Sequence, residues 1–107
     1  MGSGVVRQRE GVGESRPKPQ LLFFYTPSSG HCRRVDGFLA QVLQRRQNHR
    51  TFDVQRVDVE QDRTLAEHFR IEAVPTLVVV DDNRVMGRLE SPRGAREIEK
   101  LLTPWLR

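Results

Sequence analysis

From residue 20 onward the apolar positions change their spacing block by block, and each spacing predicts an element. Leu21-Leu22-Phe23-Phe24-Tyr25 is an unbroken apolar run that ends in Thr-Pro-Ser-Ser-Gly, the pattern of a buried central strand. Val35, Phe38, Leu39, Val42 and Leu43 then recur at i, i+3, i+4, i+7 and i+8. That spacing predicts a helix with one core face over about 33–47, ended by Asn48-His49-Arg50. From Phe52 to Val59 the pattern returns to alternation, with Phe52 and Val54 in one phase and Val57 and Val59 in the other. The change of phase fits either a bulge or a strand that buries residues on both faces.

Asp62 to about Arg70 reads as a short helix burying Leu65 and Phe69. Ala73-Val74-Pro75 leads into Thr76-Leu77-Val78-Val79-Val80, a strand predicted to be buried on both faces. Asp81-Asp82-Asn83 is turn chemistry, so Arg84–Leu89 should pair back as an edge strand. Ser91-Pro92 has the form of an N-cap followed by proline at the first helical position, which predicts a closing helix over 92–103. Its core face is Ala95, Ile98, Leu101 and Leu102, with Trp105 packing just beyond Pro104. No internal repeat is present.

The element order is therefore β-α-β-α-β-β-α. Strands joined by a crossover helix should be parallel, and strands joined by a tight turn antiparallel. This gives an α/β domain with a four-stranded mixed sheet. Right-handed crossovers put the 33–47 and 92–103 helices on one face and the 62–70 helix on the other.

Composition narrows the function classes. A chain of 107 residues is sized for one domain with one core. Residues 1–19, with glycines, prolines, mixed charge and little periodicity, read as a flexible tail ahead of a 20–107 domain. No apolar run reaches the roughly 20 residues of a bilayer span. Met1–Val6 lacks the apolar stretch of a secretory signal, so the expected setting is the cytoplasm and no membrane partner. The net charge is +4 and the basic residues are almost all arginine. Arg33, Arg34, Arg45, Arg46 and Arg50 cluster on and after one helix without interleaved aromatics, which argues against a nucleic-acid surface. One cysteine excludes an internal disulfide. His31, His49 and His68 fall in different elements, so no metal site and no cofactor is expected.

The residues with most chemistry stand where the first strand meets its helix. Phe24-Tyr25-Thr26-Pro27-Ser28-Ser29-Gly30-His31-Cys32-Arg33, followed later by Val74-Pro75-Thr76 at the head of a strand, resembles the thioredoxin superfamily over about residues 20–106. The turn is most similar to protein disulfide isomerase domains, which read Phe-Tyr-Ala-Pro-Trp-Cys-Gly-His-Cys-Lys. The resemblance implies the thioredoxin fold, a cis bond before Pro75, and Pro75 lying beside the Ser28–His31 turn. It also implies that Ser29 occupies the position of the attacking cysteine and Cys32 that of the shielded resolving cysteine.

Dithiol exchange needs an exposed thiolate and a second thiol to resolve the mixed disulfide. Ser29 supplies neither. A helix N-terminus favours an anion by only about 0.3–1 kcal/mol, too little to turn a shielded thiol into a strong nucleophile. Ser28 stands in place of the family's tryptophan, and Phe23 in place of its buried acid, which leaves no proton acceptor there. The leading expectation is a redox-impaired thioredoxin-like domain, monomeric, that binds a protein or peptide in a groove formed by Ser28, Gly30, His31, Val74, Pro75 and Thr76. Two alternatives keep the enzyme class. Cys32 could act as a single thiol resolved by glutathione or a partner cysteine, or the chain could be a cysteine-to-serine variant of an active dithiol enzyme. Ser29 as a hydrolytic nucleophile would need a base and an orienting group, which the pattern does not supply.

Overall fold

The computed structural model describes residues 17–107, so all but the last three residues of the expected tail lie outside the described part. Strand β1 (Gln20–Tyr25) is followed by helix α1 (Gly30–Gln44), strand β2 (Asp53–Asp58), helix α2 (Arg63–His68), strands β3 (Thr76–Asp81) and β4 (Arg84–Glu90), and helix α3 (Ala95–Leu102). The four strands form one mixed sheet in the order β2-β1-β3-β4. β1 and β2 are parallel, while β1–β3 and β3–β4 are antiparallel.

Alternation along each strand divides the core between two faces. Leu21 and Phe23 of β1, with Leu77 and Val79 of β3, point to the face covered by α1 and α3, where they meet Val35, Leu39, Val42, Ile98 and Leu102. Leu22, Phe24 and Val78 point to the other face, where Leu65 and Phe69 pack from the α2 side. Side chains of this size each contribute about 1.5–3 kcal/mol on burial, so β1 and β3 anchor the domain. The two phases of the 52–59 segment have the same explanation. Phe52 and Val54 serve the α1/α3 face, Val57 and Val59 the α2 face, and the β1–β2 register runs without interruption. The one register shift lies instead between β3 and β4, at Val79/Val80. On β4, Gly87 permits the close approach of α3, since a Cβ there would lie 2.9 Å from Leu101 Cδ1.

Both ends of α1 and the start of α3 differ from the sequence expectation. α1 begins at Gly30 rather than 33 and ends at Gln44, because Arg46 and Gln47 turn into the left-handed region with φ of 51° and 58°. The buried side chain of Asn48 organises that exit. Its Nδ2 donates to the Arg45 carbonyl at 2.6 Å, and its Oδ1 accepts from Thr51 Oγ1 at 3.1 Å and from the Arg107 amide at 2.9 Å. α3 begins at Ala95, with Gly94 as its N-cap, so Ser91 and Pro92 are neither cap nor first turn. Ser91 has φ of 47°, and its amide is drawn to the Pro75 carbonyl at 2.8 Å, which pulls the segment away from helix geometry. The hairpin turn is tight, with Asp82 and Asn83 at φ of 55° and 61°, the primed geometry that suits a twisted two-residue connection. Trp105 packs edge-on to Phe52 and donates Nε1–H to Asp81 Oδ2 at 3.0 Å.

Candidate functional site

β1 leaves the sheet at Tyr25, and the chain must reverse to lay α1 across the sheet. Thr26–Ser29 makes that reversal, with the Ser29 amide donating to the Thr26 carbonyl at 3.3 Å. Ser29 keeps extended geometry (φ −92°, ψ 120°), and its Oγ accepts from the Cys32 amide at 3.1 Å. It is thus the N-cap of α1, satisfying one of the amides that a helix start leaves without a partner. Periodicity alone missed this start because Gly30 and His31 carry no apolar signal. The serine followed by a helical run was the available clue.

Three residues inside the helix, Cys32 turns inward. It is 3% exposed and packs with Phe23, whose ring stacks on Tyr25 at 5.7 Å between centroids. Ser28 and Gly30 are exposed, and Ser29 and His31 half-buried.

The second wall comes from the head of β3. The Val74–Pro75 bond is cis. Pro75 and Thr76 are buried, and Thr76 Oγ1 donates to the Ala73 carbonyl at 2.6 Å, which closes the approach to the strand. Phe24 pairs with Thr76 across the β1–β3 ladder, so Pro75 lies at the end of the sheet from which the Thr26–Ser29 turn departs.

The Ser91–Arg93 segment, which the sequence pattern assigns to the last helix and its cap, joins the two walls. His31 Nε2 lies 2.9 Å from the Pro92 carbonyl. A carbonyl only accepts, so His31 carries a proton on Nε2 and donates it. The Ser91 amide in turn donates to the Pro75 carbonyl. Helix start, loop and proline therefore form one hydrogen-bonded frame.

The flank of β1 facing β2 is built differently. A cavity of about 300 Å³ opens there, bounded by Phe23, Tyr25, Cys32, Arg33, Asp36 and Arg56 among others. Arg56 donates from Nε and Nη2 to Asp36 Oδ1 at 3.2 and 2.8 Å. Neither residue was singled out from sequence, although Arg56 shares the phase of Phe52 and Val54 and Asp36 lies one turn beyond Cys32. Those spacings would have placed both on the α1 side of the sheet.

Chemically, the site offers one buried thiol, a serine hydroxyl committed as a helix cap, and an imidazole whose Nε2 proton is committed to a carbonyl. Ser29 and His31 do not form a nucleophile–base pair. Among the described residues no three His, Cys, Asp or Glu side chains cluster to hold a metal ion, and no helix is long and apolar enough to cross a membrane.

Known proteins resemble this chain in sequence and in fold. A disulfide bond formation protein of Brevibacillus choshinensis is 34% identical over 73 residues, covering 66% of this chain and 59% of that protein. The chain thus spans less than two thirds of that relative's length. A thioredoxin of Mycobacterium bovis is 28% identical over 80 residues, covering 75% of this chain and 67% of the relative. The crystal structure of the germline-specific thioredoxin Deadhead of Drosophila melanogaster superposes with a TM-score of 0.72. It covers 83% of this chain and 82% of that one at 19% identity, a likeness of fold. The sequence profile of the thioredoxin family matches residues 10–104, nearly the whole chain, and with the strand order, the cis-proline strand and the β1–α1 turn in place the protein belongs to the thioredoxin family.

Proposed function

We propose that this thioredoxin-family domain binds an extended protein or peptide segment in the groove between Ser28–His31 and Val74–Thr76, and that its dithiol chemistry is impaired. The observation that carries the reading is the pairing of Ser29 Oγ with the Cys32 amide over a thiol that is 3% exposed. Where relatives of this family place an attacking sulfur, this chain has a capping hydroxyl. A mixed disulfide at Cys32 would have no internal thiol to release it, so turnover would depend on an external one. The proposed form is a monomer in the cytoplasm, a setting compatible with a lone free cysteine.

The purified protein should reduce insulin disulfides no faster than the same concentration of dithiothreitol alone. An extended peptide should shift the amide resonances of residues 28–31 and 74–76. Catalysis well above background, abolished by alkylating Cys32, would replace this reading with a single-thiol oxidoreductase. The cavity on the β2 flank of Cys32 is the observation that favours that second reading, since it gives the sulfur an approach independent of the groove.

A further inference from the structure

The cavity beside Cys32 lies on the β2 flank of β1, whereas Pro75 lies on the β3 flank, and none of Ser28–His31 or Val74–Thr76 lines it. Tyr25 forms the open part of its floor, backed by the buried ring of Phe23. The Phe23 and Tyr25 rings lie 21° from parallel with centroids 5.7 Å apart. Pro27 and the Cys32 thiol extend the apolar wall. Three charged residues border the cavity, and their charges do not balance. Arg56 spends two donors on Asp36, so that pair neutralises itself, while Arg33 is exposed and has no carboxylate partner among the described residues. The net charge of the border is therefore positive.

Size sets the second constraint. A volume of about 300 Å³ sits at the small end of the range for ligand pockets, room for one or two fused rings. A larger cavity of about 520 Å³ continues along α1 and β2 past Ala40, Leu43, Phe52 and Val54. Arg56 lines both cavities, while Asp36 lines the smaller one. We infer that the cavity on the β2 flank of Cys32 is a binding site for a small aromatic carboxylate, its ring against Tyr25 and Pro27 and its carboxylate at Arg33. The site is separate from the peptide groove, and the two readings stand or fall independently.

The test uses 1-naphthoate, with 1-naphthylmethylammonium as a probe of the same body and opposite charge, each titrated into the folded protein while amide resonances are recorded. Naphthoate should give saturable shifts at Thr26, Cys32, Arg33 and Arg56. The ammonium probe should bind about fivefold more weakly, the scale of one solvent-exposed ion pair. Arg33→Gln should bring the two probes to similar affinity without changing the denaturation midpoint. Bound naphthoate should also slow alkylation of Cys32 by N-ethylmaleimide. Equal affinity of the two probes for the unsubstituted protein overturns the inference, as does the absence of saturable shifts. Shifts confined to Ser28–His31 and Val74–Thr76 overturn it too, while supporting the groove.

Discussion

Two serines stand ahead of two helices, and they behave in opposite ways. Ser29 holds extended backbone geometry and caps α1 through its side chain, while Ser91 sits at φ of 47° and caps nothing. Locally the two look alike, a polar residue just ahead of an amphipathic run, and Ser91 has the better signal because Pro92 follows it. What separates them is the use of the neighbouring backbone. At Ser29 the chain has just left a central strand and must turn onto the sheet, so the amides at the helix start face outward and need an acceptor. At Ser91 the amide continues the strand edge by bonding to Pro75, and the carbonyl of Pro92 is taken by His31. α3 then starts at Ala95, with Glu97 accepting from the Arg93 amide in place of a serine cap. A residue at a helix start is free to cap only when tertiary structure has not already engaged its backbone.

The largest effect should come from changing the chemistry of the capping position. Ser29→Cys places a second sulfur one helical turn from Cys32, close enough for an intramolecular disulfide after small adjustment. Insulin reduction should rise from the buffer background to a measurable but weak rate, because Phe23 and Ser28 remain as they are. A variant that forms the disulfide, shown by mass and by loss of free thiol, yet stays at background would mean that the surroundings of Cys32 limit the chemistry more than the missing sulfur does.

Ser29→Ala isolates the structural half of the same residue. Removing a serine N-cap costs about 1 kcal/mol, within a range of about 0.5–2. For a domain of this size that corresponds to a fall in melting temperature of roughly 4–8 °C per kcal/mol. An unchanged midpoint in thermal or urea denaturation would show that the Ser29–Cys32 bond contributes nothing and that serine is present there for another reason.

These contrasts also mark where the sequence was legible. Strand and helix identities followed from periodicity because each apolar position answers to one of two faces: Leu21 and Phe23 against Leu22 and Phe24, Leu77 and Val79 against Val78. The cis bond before Pro75 was legible through family resemblance, since no spacing rule marks one. The ends of the helices were not legible. The exit of α1 depends on Asn48 reaching the amide of Arg107, and the start of α3 depends on Ser91 meeting Pro75. Both are contacts between segments far apart in the chain, invisible to a local pattern. The Asp36–Arg56 pair belongs to the same class: each residue reads as an ordinary surface charge until the β1–β2 register places strand and helix side by side.

Ser91→Ala should have the smallest effect and decides whether the two serines differ as described. The Ser91 side chain is exposed and has no hydrogen-bond partner among the described residues. Its one structural bond, to Pro75, is made by the backbone amide and survives any side chain except proline. Alanine carries the same Cβ into the same left-handed backbone, so the cost of that conformation is nearly unchanged. The expected change in stability is within about 0.5 kcal/mol, the level of an exposed substitution that removes no cap and no buried contact. Equilibrium urea denaturation of the two alanine variants side by side provides the measurement, with the midpoints compared at equal slope. If Ser91→Ala costs as much as Ser29→Ala, Ser91 acts as a cap in solution, α3 begins near Pro92, and the frame linking His31, Pro92 and Pro75 cannot persist as drawn. If only Ser29→Ala is costly, the Ser29 hydroxyl has a structural role of its own as the cap of α1.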